Sequence, residues 1–188
     1  SYLFESVEGG ENWARYSLIG LEAAKIISIK KNIIEIQSNG ETVDSFNSDD
    51  PLGYIEELQR SFELKQNEDL PIFNGGLVGY FGYDCVRYIE NKLVDSEPPD
   101  QIGTPDALFM ISDEVAVFDN LKNKLHLIVL IESQGDEEQA NARLDELEDK
   151  LKTSLPFEDF VKPIKSIEEK DFISGFGEQE FKNSVQKA

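Results

Sequence analysis

Reactive side chains are scarce in this chain, so the few that could do chemistry are quickly weighed. Among its 188 residues there is one histidine, His126, and one cysteine, Cys85. A hydrolytic triad needs an imidazole beside its nucleophile. His126 instead lies within the apolar run Leu125-His126-Leu127-Ile128-Val129-Leu130-Ile131, the setting of a core or sheet-surface histidine. Cys85 follows Asp84 and precedes Arg87, a cation that could lower a thiol pKa, but no second histidine is available to serve it. No thiol enzyme is indicated. Metal sites of the cysteine and histidine type are excluded by count. Acidic runs such as Asp136-Glu137-Glu138 and Glu158-Asp159 lack the spaced Asp/Asn and Gly of a calcium loop and read as solvated faces. No magnesium site can be placed.

Two further segments carry candidate chemistry. Gly75-Gly76-Leu77-Val78-Gly79-Tyr80-Phe81-Gly82-Tyr83-Asp84 has the glycine density of a phosphate cradle. A P-loop, however, needs Lys-Ser/Thr after its glycines, and a dinucleotide site puts them between a strand and a helix; here they interrupt an aromatic strand. Close packing of backbone or rings against that strand is the expectation. The second segment is Glu5-Ser6. A carboxylate complements an ammonium group and a serine hydroxyl both donates and accepts, although the pair could equally alternate on an edge strand. Arg15 is open to two readings, a ligand contact or a partner for a nearby acid, and Trp13 and Tyr16 fit the core of the same strand.

The elements that must position these residues follow from periodicity. Leu3 to Val7 and Trp13 to Leu21 read as paired strands joined through Gly9-Gly10-Glu11-Asn12. Ile26 to Ile29 and Ile33 to Gln37 flank a turn at Lys30-Lys31-Asn32, and Asn39-Gly40 turns the chain into Thr42 to Phe46, giving an antiparallel meander. Asp50-Pro51 opens a helix whose apolar face is Leu52, Ile55, Leu58 and Phe62, with Glu56 four residues before Arg60. Leu77 to Tyr83 is a strand, Asp84 a candidate cap for a short helix through Tyr88, and residues 91–104 a polar loop. Ala107 to Phe118 and Lys124 to Ile131 form a long hairpin; the second strand is apolar on both faces and is expected to be central. Ala140, Leu144, Leu147 and Leu151 mark a helix from Asp136 to about Ser154. The fold class is α+β, a largely antiparallel β-sheet with packed α-helices.

Composition sets the outer limits. A net charge of -20 and a pI near 4.3 make nucleic acid and anionic membrane surfaces poor partners. No apolar run approaches the ~20 residues needed to cross a bilayer. A lone cysteine forbids an intrachain disulfide and fits a reducing cytoplasm. Tyr2-Leu3-Phe4 at the first positions reads as a trimmed start, and the pattern from Glu178 to Ala188 as a helix cut short.

The opening segment Leu3-Phe4-Glu5-Ser6-Val7-Glu8-Gly9-Gly10, Gly75 to Asp84 with Val86-Arg87-Tyr88, and Ser112-Asp113-Glu114-Val115 with Phe118-Asp119-Asn120 together resemble the N-terminal half of anthranilate synthase component I. The likeness runs from Leu3 through Leu130 with interruptions. It implies part of a larger α/β sandwich: a regulatory and scaffold domain over residues 1–154, a linker over 155–177, and the start of a chorismate-binding catalytic domain at 178–188. It further implies that the complete protein converts chorismate and ammonia to anthranilate and pyruvate. Magnesium would lie in the catalytic half, with ammonia delivered by a glutamine amidotransferase component II. Glu5 and Ser6 match the motif that senses L-tryptophan as feedback inhibitor, and the catalytic groups match no position in this chain. Expected partners are therefore the C-terminal half, component II and L-tryptophan, with self-association of the isolated chain where an apolar face lacks its cover. Component I of aminodeoxychorismate synthase is the nearest alternative, and a stand-alone binding domain of the same fold is another.

Overall fold

Asp50 and Pro51 begin the first helix for the reason their order predicts. The Asp50 carboxylate accepts from the Gly53 amide at 2.9 Å, and Pro51 occupies the first turn, where a missing N–H costs nothing. This helix, α1, spans Pro51–Ser61, buries Ile55 and pairs Glu56 with Arg60 on its outer face. The computed structural model describes residues 1–5, 15–62, 69–96, 99–100, 102–131, 134–153 and 166–187. The other helices are α2, Val86–Ile89; α3, Glu137–Lys152; and α4, Glu178–Lys187.

Nine strands are described: β1 Tyr2–Phe4, β2 Tyr16–Gly20, β3 Lys25–Lys30, β4 Ile33–Ser38, β5 Glu41–Asn47, β6 Gly76–Phe81, β7 Ala107–Ser112, β8 Glu114–Asp119 and β9 Lys124–Val129. Every pairing is antiparallel, in keeping with the α+β class, but the strands divide between two sheets. One runs β1-β2-β8-β9 and the other β5-β4-β3-β7-β6. Asn39 and Gly40, at φ 51° and 83°, make the tight turn between β4 and β5 that the Asn-Gly pair demands.

Each sheet has its own core. Ile27, Ile29, Ile34, Ala107 and Phe109 of the five-stranded sheet are buried together with Ile55 of α1 and with Cys85. Val115, Val117 and Ile128 of the four-stranded sheet cluster with Tyr16, Leu18, Leu70, Phe73 and Leu130. Burying an aliphatic side chain of this size contributes about 1.5–3 kcal/mol.

Three expectations are corrected. Ala107 to Phe118 is two strands: the chain leaves the five-stranded sheet at Ser112 and enters the other at Glu114. Ala107 and Phe109 are buried on one side of the corner and Val115 and Val117 on the other, but Ser112 and Ala116, of the opposite parity, are buried as well, so alternation does not mark the step. The strand β9 is not central but lies at the end of its sheet order. Apolar residues on both faces report what covers a strand above and below, which is independent of its lateral neighbours. Leu125 and Ile131 remain 37% and 41% exposed. Finally, Asp84 does not cap α2; its carboxylate accepts from Arg87 at 3.1 Å, and the preceding 3-10 turn, Tyr83–Cys85, begins at Gly82 without a side-chain cap.

The chain divides into two compact units, Ser1–Leu151 and Lys152–Ala188. In the second, a short 3-10 turn at Glu169–Asp171 precedes α4, on which Phe181 meets Phe176 edge to face at 6.5 Å. Residues 155–165 of the expected linker lie outside the described residues.

Candidate functional site

Glu5 directly follows β1, a three-residue edge strand paired to β2 through Tyr2↔Gly20, Leu3↔Ile19 and Phe4↔Leu18. Its carboxylate is exposed, and Leu3 and Phe4 beside it are 60% and 53% exposed, an unusual load of apolar surface for so short a strand. Ser6 lies outside the described residues. The described part of the site thus offers an exposed carboxylate and, on opposite faces of β1, the exposed apolar side chains of Leu3 and Phe4.

Strand β1 owes its position chiefly to Tyr2. Gly20 leaves room for the Tyr2 ring, since a Cβ there would stand 1.9 Å from Tyr2 Cε1. The ring also packs 5.3 Å from that of Phe4. At its far end the phenol shares a 2.8 Å hydrogen bond with Ser112 Oγ, at the end of β7 in the other sheet. Burial pushes the Tyr2 phenol above its ordinary 10.0, against the opposing effect of the Ser112 hydrogen bond.

Of its two readings, Arg15 takes the acidic partner. Its Nε and Nη2 donate to the two carboxylate oxygens of Asp119 at 3.1 and 2.7 Å, and its guanidinium lies 4.8 Å from the centre of the Tyr16 ring. The Asp119 side chain is 2% exposed and accepts also from the Leu121 and Lys122 amides. The Arg15 hydrogen bond holds the Asp119 carboxyl far below its usual range, and Asp119 in turn raises the guanidinium. Arg15 is an anchor for the β8–β9 turn against β2. Tyr16 packs on the second core as expected, while Trp13 lies outside the described residues.

The glycine-rich segment is a packing device. In β6, a Cβ on Gly79 would stand 1.8 Å from the Leu108 carbonyl oxygen, and one on Gly82 2.9 Å from that of Asp106. The backbone of β6 lies against β7 more closely than any side chain permits. Cys85 is buried nearby and donates to the Asp106 carbonyl at 3.1 Å; burial first, then the Asp106 charge, pushes its thiol up. His126 is half-buried in β9 opposite Val117, away from Cys85's core.

A feature that periodicity missed joins α3 to the corner between the sheets. Arg143 donates to both oxygens of Glu114 at 2.8 and 2.9 Å and to Glu146 at 2.8 Å, which raises the guanidinium, Glu114 contributing most. Open clefts of about 410 and 450 Å³ flank this clamp, both lined by Asp113, Glu114 and Arg143, and neither by Glu5. The partners are 29 residues apart, and the Tyr2–Ser112 pair 110, separations at which no sequence spacing is informative. Among the described residues no group of three or more His, Cys, Asp or Glu is placed to hold a metal ion. No described helix is long and apolar enough to cross a membrane.

Comparison with known proteins matches the family described as chorismate binding enzyme over residues 8–188. The chain belongs to the chorismate-binding enzyme family. This family member is 40% identical over 188 residues to anthranilate synthase component 1 of Pseudomonas aeruginosa (strain ATCC 15692 and its synonyms), covering 98% of the chain and 38% of that protein. It is 42% identical to the Pseudomonas putida protein of the same name, with the same coverage. Among solved structures it resembles anthranilate synthase component I from Streptococcus pneumoniae TIGR4 with a TM-score of 0.60 and 28% identity, over 80% of this chain and 32% of that one. The chain thus spans 38% of the length of the curated relatives named here.

Proposed function

We propose that this chain is the tryptophan-sensing part of an anthranilate synthase component I, with Glu5 and Ser6 as the residues that meet L-tryptophan. The observation that carries this reading is the 40% identity along 98% of the chain to a protein named anthranilate synthase component 1. The exposed carboxylate of Glu5 and the exposed Leu3 two residues before it support it, because an amino acid with an indole presents an ammonium group and an apolar ring. In the complete cytoplasmic protein, a carbon–oxygen lyase, the remaining part holds magnesium and converts chorismate to anthranilate and pyruvate. Its nitrogen comes from ammonia, or from glutamine through a glutamine amidotransferase component II. Anthranilate fluorescence tests the division of labour. With chorismate, magnesium and either nitrogen source, the complete protein turns over and the 188-residue chain alone does not. Turnover by the isolated chain that survives repurification overturns it. In the complete protein, replacing Ser6 with a bulky apolar residue removes a hydrogen bond to a charged ligand. That loss weakens tryptophan inhibition by roughly 10- to 150-fold while sparing catalysis; unchanged inhibition takes Ser6 out of the sensor.

The same reading has the rest of the protein add to β6. Strand β5, also at the end of its sheet, carries Glu41 and Asp44, the charged guard expected of a solvent edge. By contrast, residues 70–83 around β6 contain no charge in a chain of net charge -20, whereas β9 begins with Lys124, a cationic guard. An edge left without charge, as β6 is, favours self-association when uncovered. Sedimentation of the isolated chain at rising concentration is expected to show association, and a strict monomer counts against it.

A further inference from the structure

We infer that the hydrogen bond between Tyr2 and Ser112 is a latch that couples strand β1, which Glu5 directly follows, to the crossing point of the two sheets. This rests on the tryptophan-sensing reading above and names the contact through which that site acts.

Strand β1 has only three paired residues and lies at an edge, which places it among the weakly held parts of the fold. What fixes it beyond the ladder is Tyr2. Its ring is seated over Gly20, and its hydroxyl reaches Ser112 Oγ at 2.8 Å. The Ser112 side is sheltered, at 3% exposure, so the bond acts in a medium where a polar contact counts for more than in water.

Ser112 is in turn where the other strands converge. It ends β7, pairs with Gly76 at the start of β6, and its carbonyl oxygen lies 2.9 Å from the Cβ position of Gly75. Gly75 has φ of 135°, a conformation that side chains rarely adopt, so nothing can be built there without moving Ser112 or Leu130. The next carbonyl, Asp113, accepts from the Leu130 amide at 2.8 Å just beyond β9. A ligand that draws β1 to a new position therefore pulls, through one hydroxyl pair, on the junction of β6, β7 and the end of β9. The Tyr2 hydroxyl is a positioning group; it touches no reacting atom.

The test uses the complete protein with Tyr2→Phe, Ser112→Ala and the double variant. Tyr2→Phe keeps the ring over Gly20 and removes only the latch. Melting temperature, chorismate turnover without tryptophan, tryptophan affinity by calorimetry and the half-inhibitory tryptophan concentration are measured for each. Tyr2→Phe strands the buried Ser112 hydroxyl and lowers the melting temperature, Ser112→Ala leaves the only partly buried Tyr2 hydroxyl and lowers it less, and the double variant, with both hydroxyls gone, recovers it. Inhibition follows a different pattern: the half-inhibitory concentration rises about 2- to 12-fold in either single variant, the equivalent of one neutral hydrogen bond, and stays there in the double. Turnover without tryptophan is unchanged in all three. A double variant that regains wild-type inhibition together with its melting temperature shows a purely structural bond and overturns the latch, as does a Tyr2→Phe protein inhibited like wild type. Those results leave the sensor reading intact. Wild-type protein that neither binds tryptophan nor is inhibited by it removes the sensor reading, and the latch with it.

Discussion

Replacing Gly79 with alanine tests whether the glycine-rich strand exists for packing or for a ligand. The new Cβ would stand 1.8 Å from the Leu108 carbonyl oxygen, where real contacts stay beyond 3.0 Å, so β6 and β7 must part by about 1.2 Å. The obstacle is backbone, which no rotamer change relieves, and the gap falls in the middle of a ladder running from Gly76↔Ser112 to Phe81↔Ala107. Overpacking of this kind costs about 1–3 kcal/mol, and the rigidity of the neighbour puts Gly79→Ala at the upper end. For a chain of this length about 3 kcal/mol lowers the melting temperature by roughly 6–12 °C. Gly82→Ala meets the Asp106 carbonyl at 2.9 Å, a tenth of an ångström inside the limit, and is expected to cost about 1 kcal/mol, or roughly 2–4 °C. Circular dichroism melts of the two variants beside wild type measure the series. A phosphate cradle gives the opposite pattern, lost phosphate affinity with melting unchanged. A Gly79→Ala protein that melts with wild type refutes the close-packing argument.

Other consequences are smaller in scope. Asp100 accepts from Lys30 and from the Gly103 and Ile102 amides, which lower its carboxyl from 3.8 to about 2. Its contribution to stability is therefore complete above that ordinary value and is lost as pH falls through the folded one, with Asp119 following at still lower pH. Urea titrations at stepped acidic pH should show stability flat near neutrality and falling below the ordinary carboxylate range, and Asp100→Asn should shed part of that slope; an unaltered slope refutes the assignment. Cys85, buried and with its thiol pushed up, should react with a thiol reagent no faster than the protein opens, and at once in strong denaturant; rapid labelling of native protein contradicts its place in the core. Ile29→Ala, at a fully buried position, should cost about 2–5 kcal/mol in denaturant unfolding.

The local elements were legible because local physics decides them. Asp50-Pro51 opens α1 through a cap and a fixed φ, and Asn39-Gly40 turns β4 into β5 because both residues accept positive φ. What alternation cannot carry is lateral position. From Ala107 to Asp119 buried residues of both parities occur, the strand changes sheet at Ser112, and no one-dimensional pattern marks that step. The placement of β9 failed for a related reason: its apolar residues predict cover on the faces, whereas an edge is defined by the strand that does or does not come alongside.

The proposed site rests on resemblance, and the structure explains why residue physics alone was mute there. Glu5 stands exposed after three paired residues, so nothing in its surroundings distinguishes it from any surface carboxylate. Arg15 shows what does distinguish a ligand contact from an anchor. Its partner, Asp119, is buried and already accepts two turn amides, so the carboxylate's lone pairs and the two guanidinium nitrogens facing it are committed within the fold. A residue whose charge is so matched by its own chain supports a turn. One left exposed, as Glu5 is, retains its capacity to meet something else. On that criterion the ligand-facing part proposed for this molecule adjoins the strand that Tyr2 holds in place, and under that proposal binding energy gained there reaches the sheets through what the strand is tied to.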